Sequence, residues 1–425
     1  MLLRLGAVPV LVASSARAAE AVLRTHDHVF ASRPRAVLAD VVFYGSRDVG
    51  FAPYGEHWRQ ARKLVTTHLV SVRKVQSLRL AREEEVSIVM AKISEAAAAG
   101  TAVDIGELLG AFTNNMICRA VSGRCPRDGG QKSTLQELAR DTSRLLGGFD
   151  VGEYFPVLAR LGVVGKAMRA RAERLKKRWD DVLEKLIGDH EHQCGYNQSH
   201  DRSDADDFVN ILLSVRQEYG LTREHVKAIL QDVFLGGIDT SALVLEFAIA
   251  ELMQRPHMLK KLQTEVRACI PKSQEIASEV HVNNMSYLKA VIKEVLRLHP
   301  VAPLLAPHLS MDDCSIDGYT IPSRTHAFVN MWAIGRDPRF WENTEEFMPK
   351  RGSDYHYLPF GSGRRMCPGM NFSIAVVEIM LANLMWKFDW TLPPGMEIDM
   401  SEVFGLSVHR KEKLLLVPKQ YVCSI

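Results

Sequence analysis

The sequence has little of what marks several common protein classes. Its net charge is only +3 over 425 residues, which gives no support for nucleic-acid binding. Its 7 cysteines form no Cys-x-x-Cys pair, which argues against a common zinc site and favours a reducing compartment. No apolar run has the length needed to cross a bilayer. Residues 1–12 contain Arg4 and break at Pro9, unlike a signal peptide or an anchor.

The chain also has no Gly-x-Gly-x-x-Gly loop and no flavin segment, so we expect neither a bound dinucleotide nor a built-in reductase. What it does have is 47% hydrophobic and 24% charged residues, the composition of a soluble globular protein with a large core. Length alone would allow about three domains. The motifs must therefore decide the fold and the function.

The most informative stretch is residues 360–369, Phe-Gly-Ser-Gly-Arg-Arg-Met-Cys-Pro-Gly. Cys367 lies in a Gly-rich turn, where Gly361 and Gly363 would let backbone N–H groups approach the sulfur. Those N–H groups and the nearby arginines would stabilise the thiolate, the form that binds a metal. A buried structural cysteine is the alternative, and it accounts less well for the fixed spacing. The apolar residues from Phe372 to Trp390 predict a buried helix after this loop.

A second informative stretch, residues 221–255, predicts a helix with an interruption at its centre. Gly236 and Gly237 are adjacent there, and each costs about 1 kcal/mol relative to alanine in a helix. A groove without side chains would admit a flat cofactor and offset that cost. Asp239 and Thr240 follow, an acid and an alcohol of the kind that deliver protons in a dry pocket. The alternative is a kinked core helix with a buried threonine.

Two residue pairs have the spacing of one helix face. Trp58 and Arg62 are four residues apart, so a helix would let both donate to the same carboxylate. An amphipathic helix with a basic face is the alternative reading of that pair. Glu294 and Arg297 are three residues apart on an apolar helix that ends before Pro300. They could form a buried ion pair, although the same spacing is common on surface helices.

Together these motifs resemble those of the cytochrome P-450 monooxygenases. The loop matches Phe-x-x-Gly-x-Arg-x-Cys-x-Gly, in which the cysteine is the axial ligand to haem iron. Residues 236–240 match the acid–alcohol motif of the family's central helix. The resemblance therefore implies that Cys367 binds the metal and that Asp239 and Thr240 are catalytic residues that manage protons. It also implies further cofactor-binding positions, which are Trp58, Arg62, His308, Phe360, Gly361, Arg365 and Gly369.

The resemblance assigns structural and substrate-binding positions as well. A structural Glu-Arg-Arg cluster on the haem side would consist of Glu294, Arg297 and Arg351. The implied substrate pocket has members in two segments, namely Val301, Ala302, Leu304, Leu305, Leu406 and Ser407.

Two departures from the family pattern stand out. Where the family often has Pro-x-Arg, with the arginine on a haem propionate, this chain has Ala306-Pro307-His308. Because histidine is mostly neutral near pH 7, we expect that contact to be weaker. The segment after Arg351 is also short, and Gly352 replaces the usual phenylalanine.

The implied fold is mainly α with a small β-rich region, in one haem-enclosing domain over residues 1–425. The order and spacing of the motifs imply this fold, and composition does not. Plant members of the family normally begin with a membrane-anchor helix, and this chain starts inside the expected first sheet, so we expect the anchor to be absent. The resemblance implies the cytosolic face of the endoplasmic reticulum membrane. Signals near residues 381–390 resemble plant A-type members, which mostly modify secondary metabolites.

The implied reaction inserts one atom of O₂ into a small aromatic or terpenoid substrate and releases the other as water. The cofactor would be haem b, with electrons from NADPH through a separate flavoprotein reductase, and cytochrome b5 is a further candidate partner. A monomer is expected. One alternative is a haem-thiolate isomerase or dehydratase, against which Asp239 and Thr240 argue. The other is a non-catalytic, degenerate haem-binding member, suggested by His308, by the short loop after Arg351 and by the missing anchor.

Overall fold

The computed structural model describes residues 1–123, 129–148, 151–155, 164–196, 207–349 and 357–421. Helices dominate these residues, as the resemblance implied. They are α1 (Ala16–Glu20), α2 (Val37–Val42), α3 (Glu56–His68), α4 (Val72–Ser77), α5 (Arg79–Ala99), α6 (Ile105–Ser122), α7 (Gly129–Leu146), α8 (Val151–Tyr154), α9 (Val164–Tyr196), α10 (Phe208–Ser214), α11 (Arg223–Ile238), α12 (Thr240–Met253), α13 (Pro256–Cys269), α14 (Glu279–Val282), α15 (Ser286–Leu298), α16 (Met331–Ile334) and α17 (Met370–Lys387). A π-helical turn, Ala21–Thr25, continues α1, and Gly363–Arg365 forms a 3₁₀ turn.

The strands are short and lie mostly near the two ends of the chain. They are β1 (Leu2–Leu5), β2 (Val8–Ala13), β3 (Val103–Asp104), β4 (His308–Leu309), β5 (Cys314–Ile316), β6 (Tyr319–Ile321), β7 (His326–Val329), β8 (Phe388–Thr391), β9 (Glu402–Val403), β10 (His409–Arg410) and β11 (Leu415–Gln420). One sheet has the order β1-β2-β7-β4, in which β2 and β7 are parallel with Val10 opposite His326. A second has the order β3-β11-β8, and β5–β6 and β9–β10 are two-stranded ribbons.

The predicted central helix is present, but it is divided. It begins at a capping box in which Thr222 accepts from the backbone N–H of His225. It then breaks at Asp239, which lies between α11 and α12. The reason is competition for carbonyl groups, because the Thr113 hydroxyl donates to the Ile238 carbonyl at 2.5 Å. The interruption that the two glycines predicted is therefore a real break.

Apolar helices pack around this centre. Helix α17 is almost entirely buried and contacts α12, which confirms the prediction of a buried helix after the Gly-rich loop. The helix ends at Lys387, however, and residues 388–390 belong to strand β8 instead, where they pair with β11. The aromatic pair Phe388 and Trp390 continues the core in strand form.

One described helical stretch, Arg223–Met253, is long and apolar enough to cross a membrane by length and composition. This corrects the expectation that no such run exists. In the fold, 72% of its apolar window is buried among other helices, as in the core helix of a globular protein.

Candidate active site

A cavity of about 350 Å³ lies where the Gly-rich loop, α3, α11 and α12 meet. Its walls combine apolar side chains with a cluster of cations at one end. The predicted cofactor-binding residues that line it are Arg62, His308, Phe360, Gly361, Arg365, Cys367 and Gly369. The structure therefore brings together residues that are up to three hundred positions apart in the chain. Trp58 is the one predicted cofactor residue that is not among them.

Cys367 is half-buried and lines this cavity, in the loop that precedes α17. Its backbone N–H donates to the Phe360 carbonyl at 2.8 Å, which closes the loop on itself. Burial raises the pKa of its thiol, and a hydrogen bond from the Gly369 backbone and the charge of Arg62 act in the opposite direction. The predicted stabilisation of the thiolate is thus present, but burial outweighs it in the chain alone. A bound cation would be needed to hold the thiolate at neutral pH.

The two loop glycines have different roles from those predicted. Gly361 and Gly363 both have positive φ, 69° and 70°, which other residues rarely adopt. At Gly363 a Cβ atom would overlap the carbonyl oxygen of Leu23. This glycine therefore serves close docking of the loop on the N-terminal helical turn, and the backbone group that approaches the sulfur is that of Gly369.

Arg365 is anchored by backbone carbonyl groups. It donates from Nε to Ala31 at 2.6 Å and from Nη2 to Ala52 at 2.6 Å, and its guanidinium stacks on the Trp58 ring at 4.2 Å. Burial, and then the charge of Arg33, lower its pKa to about 8. Such a cation is costly to bury without a negative partner.

Trp58 and Arg62 lie on one face of α3, as predicted, but their donors are used differently. The Trp58 indole N–H donates to the Val49 carbonyl at 3.1 Å, so it already has a backbone partner. Arg62 donates to the Met366 carbonyl and lines the cavity. Only the arginine of this pair faces the cavity, and the tryptophan supports Arg365 by stacking.

The sequence interpretation missed Arg33. This residue is buried, lines the cavity, and donates to the carbonyl groups of Gly50 at 2.9 Å and Ala306 at 2.7 Å. Burial lowers its pKa to about 10. In the sequence Arg33 lies between Ser32 and Pro34, and nothing in that motif indicates a cavity.

Two buried carboxyl groups accompany the arginines. Asp232 accepts from the backbone N–H groups of Val49 and Gly50 at 3.2 and 3.0 Å, and burial raises its pKa to about 6. Burial and the neighbouring Asp232 raise the pKa of Asp48. Near neutral pH these two groups therefore balance the three guanidinium charges only in part.

His308 lies at the same end of the cavity. Its Nδ1 is 2.7 Å from the carbonyl oxygen of Phe30. Burial, and then the charge of Arg33, lower the pKa of the ring to about 3. The expectation of a neutral histidine at this position is thus supported.

Gly236 and Gly237 line the cavity from the other side, and they differ. A Cβ atom on Gly236 would have nothing within 4 Å. On Gly237 it would lie 2.6 Å from the Ile117 side chain, so this glycine lets α6 pack against α11. The missing side chain of Gly236 therefore forms the predicted open groove, whereas glycine is needed at position 237 for the packing of α6 against α11.

Asp239 and Thr240 lie directly after this groove. The Thr240 hydroxyl lines the cavity and donates to the Gly236 carbonyl at 2.7 Å. Asp239 is 7% exposed, and its Oδ2 has no hydrogen-bond partner within the described part of the chain. Burial raises the pKa of this carboxyl to about 6, against the opposing charge of Arg140. The pair thus supplies a buried acid poised near neutral pH beside a hydroxyl.

The predicted pocket residues fall into two groups. Val301, Ala302 and Leu305 line the cavity, whereas Leu304 is 45% exposed and does not. Leu406 and Ser407 lie in a turn that packs on α7, so they are next to the cavity wall rather than in it. The Ser407 hydroxyl is 3.0 Å from that of Ser143, and the Leu406 N–H donates to the Ser143 carbonyl at 2.9 Å.

The predicted ion pair between Glu294 and Arg297 is confirmed. Both side chains are buried, and Arg297 donates to the two carboxylate oxygens at 2.9 and 2.8 Å. Its remaining donors reach three backbone carbonyl groups, those of Gly335, Thr344 and Glu346. The predicted third member, Arg351, lies outside the described residues, as does Gly352.

Comparison with known proteins identifies the family. The sequence model of Cytochrome P450 matches residues 1–417. The chain belongs to the cytochrome P450 family. It is 52% identical to the indole-2-monooxygenase of Zea mays, over 99% of this chain and 80% of that protein. It is 43% identical to cytochrome P450 71A1 of Persea americana, over 99% of this chain and 87% of that protein.

A zebra fish cytochrome P450 structure with progesterone has the same fold, with a TM-score of 0.82 and 25% identity over 99% of this chain and 96% of that one. The predicted P450 fold is thereby confirmed. The chain is a haem-thiolate monooxygenase that acts on a small organic substrate with O₂ and electrons from a redox partner. Among these relatives, the plant P450s have a higher sequence identity to this chain than the zebra fish protein has.

The residues at the cavity fit a haem group. A buried sulfur, an excess of guanidinium groups at one end and an opening at Gly236 match a flat, doubly carboxylated macrocycle that binds a thiolate. Asp239 itself does not line the cavity, and its unpartnered Oδ2 belongs to the residue directly before the cavity-lining Thr240.

Proposed function

We propose that Cys367 would bind the iron of a haem group and that the substrate is a small, planar, indole-type molecule. The observation that carries the first part is the presence of Cys367 and Thr240 in the walls of one cavity. The second part rests on likeness, because three monooxygenases of Zea mays that are 47–52% identical to this chain bear the names indole-2-monooxygenase, 3-hydroxyindolin-2-one monooxygenase and indolin-2-one monooxygenase.

The chain's own residues would hold the cofactor at both ends. Cys367 would bind the iron, and Arg62, Arg365 and His308, which line the same cavity, would bind the carboxylates. Phe360, Gly361 and Gly369 shape the loop around the sulfur, and Trp58 keeps Arg365 in place. When bound, haem supplies an iron centre that activates O₂ for insertion of one oxygen atom into the substrate, while the other leaves as water.

Asp239 and Thr240 would deliver the protons. A carboxyl with a pKa of about 6 releases and regains a proton readily near neutral pH. Thr240 lines the cavity, and its hydroxyl, which donates to the Gly236 carbonyl here, would pass that proton on through its own O–H. Val301, Ala302 and Leu305 form an apolar wall that excludes bulk water from the same space and contacts the substrate.

The remaining assignments follow the family. Electrons come from NADPH through a flavoprotein reductase, with cytochrome b5 as a second donor. The protein works as a monomer at the cytosolic face of the endoplasmic reticulum membrane. Residues 1–425 form one P450 domain, and Arg351 joins Glu294 and Arg297 in a structural cluster.

The carbon monoxide difference spectrum of the reduced protein tests the ligand. A strongly red-shifted Soret band is expected for a thiolate ligand, and Cys367→Ser should lose it. Cys269→Ser, at a half-buried cysteine in α13, is the matched control and should keep the band. A red-shifted band in the Cys367→Ser protein would contradict the assignment.

Turnover with a plant reductase tests the substrate and the proton route. We expect NADPH-dependent oxygenation of indole or indolin-2-one, and little oxidation of a sesquiterpene of costunolide type. Thr240→Ala should lower product formed per NADPH consumed by about tenfold or more, because the proton donor is lost. Thr264→Ala, on the exposed side of α13, is the control. Preference for the sesquiterpene would overturn the substrate assignment and leave the ligand assignment intact.

A further inference from the structure

The two ring nitrogens of His308 have different surroundings. Nδ1 lies 2.7 Å from the carbonyl oxygen of Phe30, and a carbonyl oxygen can only accept. Nδ1 therefore carries the ring proton. In the neutral ring Nε2 then has a lone pair and no hydrogen, so it can accept a hydrogen bond but cannot donate one. No hydrogen bond joins Nε2 to any residue in the described part of the chain.

Neighbouring groups fix the ring in this orientation. Arg33 donates from Nη1 to the carbonyl groups of Ala306 and Pro307, at 2.7 and 3.0 Å, and these residues directly precede His308. Rotation of the ring would break the bond to Phe30 in a buried site, which is unfavourable because the carbonyl would be left unpaired. The lone pair of Nε2 therefore stays where it is.

The end of the cavity that holds His308 is the end that accepts negative charge. Arg33, Arg62 and Arg365 line the cavity together with His308 and one carboxyl, that of Asp232, so the guanidinium groups are in excess. The carboxylates of haem are the anionic part of a group that is otherwise apolar. Charge complementarity places them here, against the guanidinium groups and the imidazole.

We propose that haem binding takes up one proton at the contact between His308 and a haem carboxylate. A lone pair facing a carboxylate is repulsive, so the contact forms only with a proton between the two groups. Either the ring becomes imidazolium and donates from Nε2, or the carboxylic acid donates to Nε2. In both cases one proton from solvent is bound, no covalent bond between heavy atoms forms or breaks, and no electron moves. The inference rests on the haem site proposed above and adds a proton to its binding equilibrium.

The consequence is that haem retention depends on pH. In the pH range in which His308 is neutral without haem and its contact with the haem carboxylate holds a proton, haem affinity falls about tenfold for each unit of rising pH. His308 is neutral when haem is absent, because burial and the charges of Arg33 and Arg365 oppose its protonation. An arginine at this position would bind the carboxylate without any such dependence, since it is always charged.

Other titratable groups face the same region and must be separated from His308. Arg33 lies before α2, Arg62 on α3 and Arg365 in the Gly-rich loop. Asp232 lines the cavity with them, and Asp48 is a buried neighbour of Arg33 and Arg365. Cys367 loses a proton when it binds iron. Substitution of His308 leaves all of these groups in place, so the difference between wild type and variant isolates the contribution of His308.

The test is haem transfer from the holoprotein to excess apomyoglobin, measured between about pH 6 and 8. The variants are His308→Gln, which can donate without ionising, and His308→Arg, which is permanently charged. His409→Gln is the matched control, since His409 is also largely buried with a lowered pKa but does not line the cavity. We expect wild-type transfer to accelerate about tenfold more per pH unit than transfer from either His308 variant. The His409→Gln protein should follow the wild type.

Equal pH dependence of wild type, His308→Gln and His308→Arg would overturn the proposal. If one His308 variant does not fold, the other still tests the proposal. Glutamine donates a hydrogen bond without ionising, and arginine donates one as a permanent cation, so each removes the need for proton uptake. Proton uptake on adding haem to haem-depleted protein in weak buffer is the second measurement, with one proton more expected for wild type than for His308→Arg. A missing thiolate band in the wild type would instead mean that the haem site itself is wrong, so the two failures are distinguishable.

Discussion

Two groups of residues around arginines, in the described part of the chain, are built differently. Around Arg297, the guanidinium is paired with both oxygens of Glu294 and with three backbone carbonyl groups. Around Arg33, Arg62 and Arg365, the identified partners are backbone carbonyl groups, and the nearby carboxyls have raised pKa values. The first cluster is balanced in charge, and the second has an excess of positive charge.

The difference separates structural from cofactor-binding polar groups. A balanced cluster gains nothing from a ligand, so its effect is on stability alone. An unbalanced one is unfavourable until an anion arrives, and it faces the cavity where haem carboxylates would supply that anion. Motif spacing does not distinguish the two, because both involve arginines in ordinary positions.

The largest expected effect comes from opening the balanced cluster. Arg297→Met removes the cation that pairs with the buried Glu294 carboxylate, so we expect a loss of about 3–5 kcal/mol in the free energy of unfolding. Denaturant unfolding measures it. The control is Arg169→Met, which removes an exposed i,i+4 pair with Glu173 and should cost less than about 1 kcal/mol. Similar losses for both variants would mean that the cluster around Arg297 is not special.

Asp239 directly precedes the cavity-lining Thr240, and its substitution should have the opposite effect and stabilise the protein. Its pKa of about 6 in the fold lies above the unfolded value of about 3.9, so the folded state binds the proton more tightly. Stability from this group is complete below about pH 4 and is lost as pH rises to about 6. A pKa shift of about two units corresponds to about 3 kcal/mol. At neutral pH the Asp239→Asn protein should therefore be more stable than wild type by up to that amount, whereas at about pH 4 the two should be equally stable.

Denaturant unfolding at the two pH values measures this, and Asp181→Asn, at an exposed residue of α9, should show no such difference. Product formation should fall in the Asp239→Asn protein despite its greater stability. Equal stabilisation at both pH values would contradict the buried, protonated state of this carboxyl.

Arg365→Met tests the unbalanced cluster. It removes a cation that faces the cavity, together with the hydrogen bonds that its guanidinium group donates to backbone carbonyl groups. A hydrogen bond from a charged group contributes about 1.5–3 kcal/mol. We expect haem loss to accelerate about 10–100-fold, with partial rescue by Arg365→Lys. Arg364→Met is the neighbouring control, because Arg364 pairs with Asp27 away from the cavity. Haem loss that is equally fast in both variants would remove the distinction between the two arginines.

The smallest expected effects come from the adjacent glycines. Gly237→Ala forces a Cβ against Ile117 and should destabilise the protein by about 1–3 kcal/mol. Gly236→Ala meets nothing, so it should stabilise α11 by up to about 1 kcal/mol while it narrows the cavity and lowers turnover. Thermal unfolding with a turnover assay measures both. We expect the two substitutions to change the stability in opposite directions. A change in the same direction for both would show that the two glycines have the same role.

Sequence patterns predicted those parts of the site that depend on local geometry. The Gly-rich loop and the pair Glu294 and Arg297 have their determinants within a few residues. The break in the central helix was indicated by its adjacent glycines, although the hydroxyl that competes for the Ile238 carbonyl comes from the distant Thr113. The loop and the acid–alcohol motif were enough to indicate the P450 fold, which the comparisons confirm.

What could not be predicted depends on partners far along the chain. Arg33 contacts carbonyl groups 273 and 274 residues away, and a backbone carbonyl leaves no signal in its own side chain. The indole N–H of Trp58 was expected to face a carboxylate, yet the nearby Val49 carbonyl takes it. The role of Gly237 likewise depends on Ile117 of another helix. The haem-binding roles of the individual residues stay predictions.

The docking of the Gly-rich loop on the N-terminal turn has a consequence for biosynthesis. Arg24 donates to the Ser362 hydroxyl at 3.0 Å across 338 positions of the chain, and Gly363 fits against Leu23 with no room for a side chain. The first thirty or so residues therefore leave the ribosome long before the loop that completes their environment. Because such distant contacts close late, the thiolate site can only assemble after nearly the whole chain has been translated. Haem capture is thus a step that follows synthesis. Until the Gly-rich loop has been made and has docked, the surface of the N-terminal segment that binds it is exposed to solvent.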